Sequence, residues 1–600
     1  MIQNQTTYYT TVQDKTVAQL LLKYLELEQV NKLFGLPGGA LTHLLDELSE
    51  QQDKFEYIIC RHETGAAFIA DGYARVTGNL GVVLVTSGPG ATNALTGTVN
   101  AHNSNSALLT ITGEVPEVYF GKGYLQEGID ANLDIDNIYR SASQYSAVIT
   151  NATNFQTLFS QALRDALSIP NRAAHISLPD DVAGSTVSNV QIPNSPDNYR
   201  AIPDAFSPGK IEQAFKLLLS AQLPLFFLGN GCRRALQDGD RLRKFVEFVN
   251  KFAIPVMTTP DAKSIFPENI QLSLRNYGLA GCEWPKYYLN PQLLNPKLPP
   301  HYDALMVLGS TLGQLATSKW DSILIPNGPF IQVDLNQNAI ARSFPIELGI
   351  VSEVGRAIDY LCELGQQVKA DEKGIDFRRR LIDEIKSTKS PFRNPEKRDS
   401  EASPIFPQAL MKCINEMMPE DGHLFIDCAN CVGWSVHYIV ANPPLQMHNS
   451  LAMGPMGFGT AAVIGGKMGA PYKTCVAIVG DGAFMMHGNE ISTAAQYGVG
   501  AIWVVMDNND LGMISQYMNQ FCPKPGNPGF WKDYYKIGKP NLAQFAAALG
   551  ADAFDIYSPT EMREVFPRAM KNALENNKPQ VIVAHINNDE VPPYYPPSQS

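Results

Sequence analysis

Two stretches far apart in the chain carry residue types suited to chemistry: Arg61-His62-Glu63-Thr64-Gly65-Ala66 and Gly480-Asp481-Gly482-Ala483. In the second, the apolar run Cys475-Val476-Ala477-Ile478-Val479 breaks at a glycine-flanked aspartate. Another apolar run, Ala501 to Met506, ends in Asp507-Asn508, so Asn508 stands 27 positions after Asp481. Two parallel strands joined by a helical crossover deliver their C-terminal ends to one sheet edge, bringing a carboxylate and an amide oxygen together. These hard oxygens suit Mg²⁺, which completes its shell with waters and a ligand's phosphates. Gly480 and Gly482 let a diphosphate approach the backbone N–H groups at the start of the following helix. A Gly-Asp-Gly turn near an Asn-rich loop also fits an α/β protein without such a ligand. Glu63, likewise, is also what a helix N-terminus favours electrostatically, by ~0.3–1 kcal/mol.

The elements that must hold these residues alternate strand and helix. Val17 to Leu27 has helical apolar spacing, Lys32-Leu33-Phe34 reads as a short strand, and Gly35 to Gly39 as a turn. Strands at Tyr57–Cys60 and Val82–Val85 flank a helix from Thr64 to Thr77, and Leu108–Thr112 is a further strand. This is the βαβ pattern of a parallel sheet covered on both faces. A Pro/Asn/Ser-rich stretch, Gln191 to Gly209, reads as a linker. A second α/β unit follows with strands Pro224–Leu228, Ala304–Leu308 and Ile331–Asp334. The expected organisation is a first domain over 15–188, a central α/β domain over 207–365, a charged linker over 366–403, and a last domain over 404–590.

Composition narrows the function classes. Six hundred residues, 44% of them hydrophobic, suffice for several cores at ~100–200 residues per domain. A net charge of −12, with no Lys/Arg cluster that builds a basic face, excludes nucleic acid and anionic membrane as expected partners. The polar start, Met1 to Thr16, is no secretory signal, and Cys428 to Gly466, though free of charged residues, is broken by Gly433, Pro443, Pro444, Gly454 and Pro455, so it is no membrane span. A cytoplasmic protein is expected. Nine scattered cysteines build no disulfide framework. Cys428-Ala429-Asn430-Cys431 has CxxC spacing; zinc would need a second pair, and a redox role stays open.

Taken together, the chain resembles the thiamine-diphosphate (ThDP) enzymes over residues 15 to 595, and within them the acetolactate-synthase branch. The resemblance rests on Gly480-Asp481-Gly482 with Asn508, on Glu63, and on Phe34 to Gly39, Thr86 to Asn93, Ile111 to Pro116 and Met456 to Gly459. It implies pyrimidine-binding and diphosphate-binding domains around a middle domain, each with a central parallel sheet flanked by helices. It also implies ThDP and Mg²⁺, the metal held by Asp481, Asn508 and the backbone carbonyl of Asp510.

ThDP supplies an electron sink for an acyl carbanion, and the protein supplies geometry. By resemblance, Glu63 bonds the aminopyrimidine and favours its imino tautomer, and Gln126 is an active-site glutamine. Cofactor contacts are implied for Pro37, Gly38, Asn93, Asn430, Gly454, Met456, Gly480, Gly482, Ala483, Leu511, Gly512 and Met513. Met456 would wedge beneath the cofactor, although a Met among glycines also serves as core filler. Cys431 departs from the polar residue expected at its position. His102, in Asn100 to Asn105, is placed at the active-site floor as a proton relay or, equally, as a His bonded to nearby backbone. The glutamate and the diphosphate site belong to different subunits in this family, so a homodimer or homotetramer is implied. Gly229-Asn230-Gly231 after a strand leaves FAD open as a further cofactor.

The departures bear on substrate. Where acetolactate synthases carry an arginine suited to clamp a carboxylate, this chain reads Gly309-Ser310-Thr311-Leu312-Gly313, and a Lys-His-Asn segment is replaced by Gln144-Tyr145-Ser146. Tyr517 replaces a tryptophan after the metal loop, and Thr311 and Tyr517 are the expected substrate-pocket residues. The resemblance therefore implies a carboligase that decarboxylates one 2-oxo acid and couples it to a second carbonyl, with large or aromatic substrates. It is compatible with the acyloin-forming synthase of the scytonemin pathway. Acetolactate synthase proper, a ThDP-dependent C–C hydrolase and a simple decarboxylase are the alternatives. A non-catalytic protein on the same fold would not need Glu63.

Overall fold

The computed structural model describes residues 8–130, 132–201 and 204–594. Three six-stranded parallel sheets follow one another along the chain. The first contains β1 (Lys32–Leu36), β2 (Glu56–Ile59), β3 (Gly81–Val85), β4 (Leu108–Glu114), β5 (Tyr145–Val148) and β6 (Ala173–Pro179). The central sheet contains β7 (Pro224–Leu228), β8 (Val256–Thr258), β9 (Ser273–Asn276), β10 (Ala304–Leu308), β11 (Phe330–Asp334) and β12 (Leu348–Val351). The last contains β13 (His423–Ile426), β14 (Gln446–His448), β15 (Cys475–Gly480), β16 (Ile502–Asp507), β17 (Asp552–Ile556) and β18 (Gln580–His585). Inner strands such as β3 and β10 are apolar and buried throughout because helices cover both faces.

The first and last sheets share one spatial order, β2-β1-β3-β4-β6-β5 and β14-β13-β15-β16-β18-β17. The relationship is weak in sequence but complete in topology. In each, the chain reverses direction across the sheet between the first and third strands, which leaves a crevice at their C-terminal ends. The central sheet runs β9-β8-β7-β10-β11-β12, the order of a dinucleotide-binding fold, with its crevice between β7 and β10. Within the charged stretch 366–403, the helix Glu372–Thr388 lays Leu381, Ile382 and Ile385 on the central core. Its buried Arg378 donates to the carbonyls of Phe252 and Ala253.

Two helices join the outer domains. Helix α1 (Glu63–Thr77) and helix α4 (Phe458–Gly469) cross at backbone contact, while α2 (Pro89–Asn103) and α3 (Asn430–Tyr438) begin at the two crevices. A Cβ on Gly72 would fall 2.0 Å from the Ala462 carbonyl, and one on Gly465 would fall 1.8 Å from the Ile69 carbonyl. Only glycine permits this approach, and a single apolar core containing Phe68, Ile69, Phe458 and Ala462 runs through both domains. Beside it lies a buried ion pair. Arg75 binds both carboxylate oxygens of Asp71 at 2.8 and 2.9 Å and donates to the Asn449 carbonyl of the last domain at 2.6 Å. Asp71 is fully buried, with Asn100 as its other partner at 3.0 Å.

Removing Arg75 would leave that carboxylate buried without its counter-charge. Arg75→Ala is therefore expected to cost about 3–5 kcal/mol. The check is a thermal or urea melt of the purified variant; an unchanged midpoint would show that the pair contributes nothing.

Candidate active site

The crevice of the last sheet opens into a cavity of ≈440 Å³. Strand β13 ends at its rim, and the chain turns through Cys428 and Ala429 into α3. Strand β15 delivers Gly480, then helix α5 (Asp481–His487) begins; β16 delivers Asp507 and Asn508. Asn430, Cys431, Gly454, Met456, Gly480, Asp481, Gly482, Ala483, Asn508, Asp510, Leu511, Gly512 and Met513 all line this one cavity. The last three of these precede or open helix α6 (Gly512–Phe521).

Hydrogen bonds hold the aspartate and its loop in place. Asp481 Oδ1 accepts from Gly482 N at 2.8 Å, and Oδ2 accepts from the Asn508 and Asn509 amides at 3.2 and 2.7 Å. Asn508 Nδ2 donates to Asn588 Oδ1 at 2.9 Å, and Asp510 Oδ2 accepts from Ser515 at 2.5 Å. Burial, and the Asp507 carboxylate beside it, push the Asp481 carboxyl well above the usual range. Asn430 Oδ1 and Asp510 Oδ1 are buried without any partner. An oxygen-only donor set with unanswered acceptors fits a hard divalent cation such as Mg²⁺. The thiols behave otherwise: burial pushes Cys428 up to about 12 and raises Cys431 as well, the opposite of an activated cysteine. No cluster of three His, Cys, Asp or Glu able to hold a metal ion exists among the described residues.

A second group forms at the crevice of the first sheet. Pro37 and Gly38 follow β1, and Gly38 lies against Thr86 after β3. Gly88 lies against Gln126, and Gly90 beside Glu63. Asn93 Nδ2 donates to Glu63 Oε2 at 3.0 Å, and Thr64 Oγ1 donates to the Asn93 carbonyl at 2.5 Å. Thr86 Oγ1 and Ser87 Oγ are buried and unpartnered here. Pro37, Gly38, Glu63, Asn93 and Gln126 are thus one neighbourhood, and none of them lines the ≈440 Å³ cavity of the same chain.

Residues 15–134, 211–361 and 427–584 match the family models described as thiamine pyrophosphate enzyme N-terminal TPP binding domain, central domain and C-terminal TPP binding domain. The chain is a thiamine-diphosphate enzyme. Its curated relatives place it in the acetolactate-synthase-like branch. It is 29% identical over 585 residues to the probable acetolactate synthase large subunit of Methanococcus aeolicus, covering 94% of this chain and 91% of the relative. It is 28% identical over 592 residues to the acetolactate synthase of Arthrospira platensis, covering 96% and 95%. No helix among the described residues is long and apolar enough to cross a membrane.

Three expectations do not match the geometry of this ThDP enzyme. His102 sits at the far end of the 15-residue α2, about 20 Å along the axis from Pro89. Burial and the nearby Arg172 lower its basicity, and its ring bonds the Ala173 backbone, the alternative reading of this residue, while its Nδ1 is buried without a partner. The helix carries it to the sheet edge opposite Glu63, so it is no relay for that group. Thr311 is exposed, its carbonyl accepting from Arg342, and Tyr517 packs against Phe521 with ring centroids 4.5 Å apart and planes tilted by 40°; neither lines the cavity. The central glycine turn meets the turn after β10 directly: Gly231 N donates to the Gly309 carbonyl at 2.9 Å, and a Cβ on Gly229 would fall 2.3 Å from that oxygen. Packing accounts for those glycines, so they lend no support to a flavin.

Sequence reasoning missed the cavity's apolar wall, which includes Leu279, Leu315, Leu451, Ile514 and Ile586. Single aliphatic residues carry no motif. It also missed Glu490, which is fully buried and belongs to a 3₁₀ turn, Gly488–Glu490, after α5. Its carboxylate accepts from Arg61 N at 3.0 Å, His62 N at 2.9 Å and Thr493 Oγ1 at 2.6 Å.

Two predictions follow from these environments. Ala429 holds φ 60° and ψ −137°, a glycine-like conformation costing of order 1–3 kcal/mol. Ala429→Gly relieves that strain against ~0.4–1 kcal/mol of added unfolded-state entropy, so melts should show a net gain of about 1 kcal/mol. Burial raises the Glu490 carboxyl to about 7, above the ~4.3 of an unfolded chain. The neutral form is favoured by folding, so this contribution is complete below the unfolded value and lost as pH rises through about 7. Glu490→Gln, neutral throughout, should therefore gain in melting temperature relative to the parent between roughly pH 5 and pH 8. Paired melts across that range check the sign against the surrounding Arg61, His62, Cys60, Glu63 and His487.

Proposed function

We propose that this protein is a carboligase for large or aromatic 2-oxo acids. The C1–C2 bond of a donor breaks with loss of CO₂, a new C–C bond forms to the carbonyl carbon of an acceptor, and that carbonyl oxygen takes up a proton. The observation that carries the substrate reading is the cavity lining. It contains no lysine, arginine or histidine, its charged members are Asp481 and Asp510, and most of the remainder is apolar. An acceptor there finds apolar contact, worth ~25 cal/mol per Å² buried, and no bidentate cation for a small carboxylate.

Bound ThDP would supply the electron sink for the acyl carbanion equivalent. The chain's own residues do the rest. Asp481, Asn508 and the Asp510 carbonyl would hold Mg²⁺, and backbone N–H groups at the start of α5 would bind the diphosphate. Met456 and the Gly454 carbonyl would support the cofactor from below. Glu63, oriented by Asn93, would bond the aminopyrimidine ring nitrogen and favour the imino tautomer that accepts a proton. Because the Glu63 neighbourhood and the cavity are separate in one chain, we pair each with its counterpart in a second subunit. The exposure of Leu125 (81%), next to Gln126, and of Met486 (56%) on α5 supports a covered face at both places.

Incubation of the protein, ThDP and Mg²⁺ with indole-3-pyruvate and 4-hydroxyphenylpyruvate should yield a coupled product by mass spectrometry. Acetolactate from pyruvate alone, free aldehyde, or cleavage of a cyclic dione would each replace this reading with another. Glu63→Gln should lower turnover at least about 10²-fold while ThDP stays bound. Leu125→Asp and Met486→Asp should shift the species in sedimentation velocity toward monomer and remove activity together.

A further inference from the structure

The turn that presents Glu63 is clamped from the last domain as well as from its own. Ile59 N donates to Tyr497 Oη at 2.8 Å, and Arg61 reaches Ser492 Oγ at 2.8 Å and Gln496 Oε1 at 2.6 Å. At the centre of this clamp, the Glu490 carboxylate accepts the backbone N–H groups of Arg61 and His62, the two residues directly before Glu63. Those two donors precede the first helical turn, and the helix's own carbonyls do not satisfy them. The fit is close on the other side as well, where a Cβ on Gly65 would fall 2.3 Å from Glu490 Oε1. The same turn that carries Glu490 continues directly from α5, the helix that starts at Asp481.

We propose that Glu490 is a positioning residue: through the Arg61 and His62 amides it sets where the Glu63 carboxylate stands, and so how well Glu63 bonds the aminopyrimidine. This rests on the reading of Glu63 given above. Glu490 does not touch cofactor or substrate and is not a catalytic residue. Its side chain is a fixed spacer between α5 and the N-terminus of α1. A glutamine at the position keeps one carbonyl oxygen for both amides and a donor for Thr493; an alanine leaves two buried N–H groups unanswered.

The experiment compares Glu490→Ala, Glu490→Gln, Gly65→Ala and Glu63→Gln in the full-length protein with ThDP and Mg²⁺. Readouts are kcat, ThDP affinity by titration, and oligomeric mass. Displacing a reacting group by about 1 Å costs on the order of 10²-fold in rate. Glu490→Ala should lose about that much in kcat at saturating ThDP, with affinity changed less than about threefold. Glu490→Gln should recover most of the rate, and Gly65→Ala, which pushes on the carboxylate from the other side, should lose kcat as Glu490→Ala does. A correctly assembled Glu490→Ala protein with parental kcat, alongside an inactive Glu63→Gln, would overturn the proposal. If Glu490→Ala does not assemble, Gly65→Ala against Glu490→Gln decides it, and equal, parental rates in both overturn it. An active Glu63→Gln would instead overturn the reading beneath it.

Discussion

The contact on which the remaining geometry depends is the crossing of α1 and α4 at backbone distance. Gly72 and Gly465 lie against carbonyls of the opposing helix, closer than any side chain would allow. Such an approach makes dispersion contacts dense and leaves little freedom to slide. The buried Asp71–Arg75 pair adds direction to it, since Arg75 must reach both Asp71 and the Asn449 carbonyl. Both crevices are therefore held in one rigid frame, although their residues come from opposite ends of the chain.

That frame uses the same sheet twice. A parallel sheet whose chain reverses direction leaves a gap at the strand C-termini, because adjacent crossover helices depart to opposite faces. In the last sheet the gap is lined by oxygens and by the start of α5, suited to phosphate and metal. In the first it carries Glu63, Asn93, Thr86 and Ser87, suited to a heteroaromatic ring with donors and acceptors. The central sheet has the corresponding gap but closes it with its own backbone at Gly231 and Gly309. One topology thus yields two ligand crevices and one packing contact, and the difference lies in the two or three residues at each strand end.

The cavity's chemistry is asymmetric. One end is polar and acidic, with Asp481 and Asp510 and unanswered acceptors at Asn430 and Asp510. The wall contributed by Leu279 and Leu315 of the central domain and by Ile514 and Ile586 is aliphatic.

The sequence alone determined the alternation of strand and helix, the parallel class, the glycine-flanked Asp481 with Asn508, and Glu63 at a helix start. Those features are local: runs of apolar residues, broken at glycines, have one reading in a sheet covered on both faces. Tertiary structure decided what local pattern does not encode. It carried His102 to the wrong end of α2, because a helix's direction in space depends on what it packs against. It gathered an apolar wall from residues between 279 and 586, none of which has a signature. It also put Glu490 against the turn before Glu63, a contact across 428 positions that exists only because two glycine-marked helices meet.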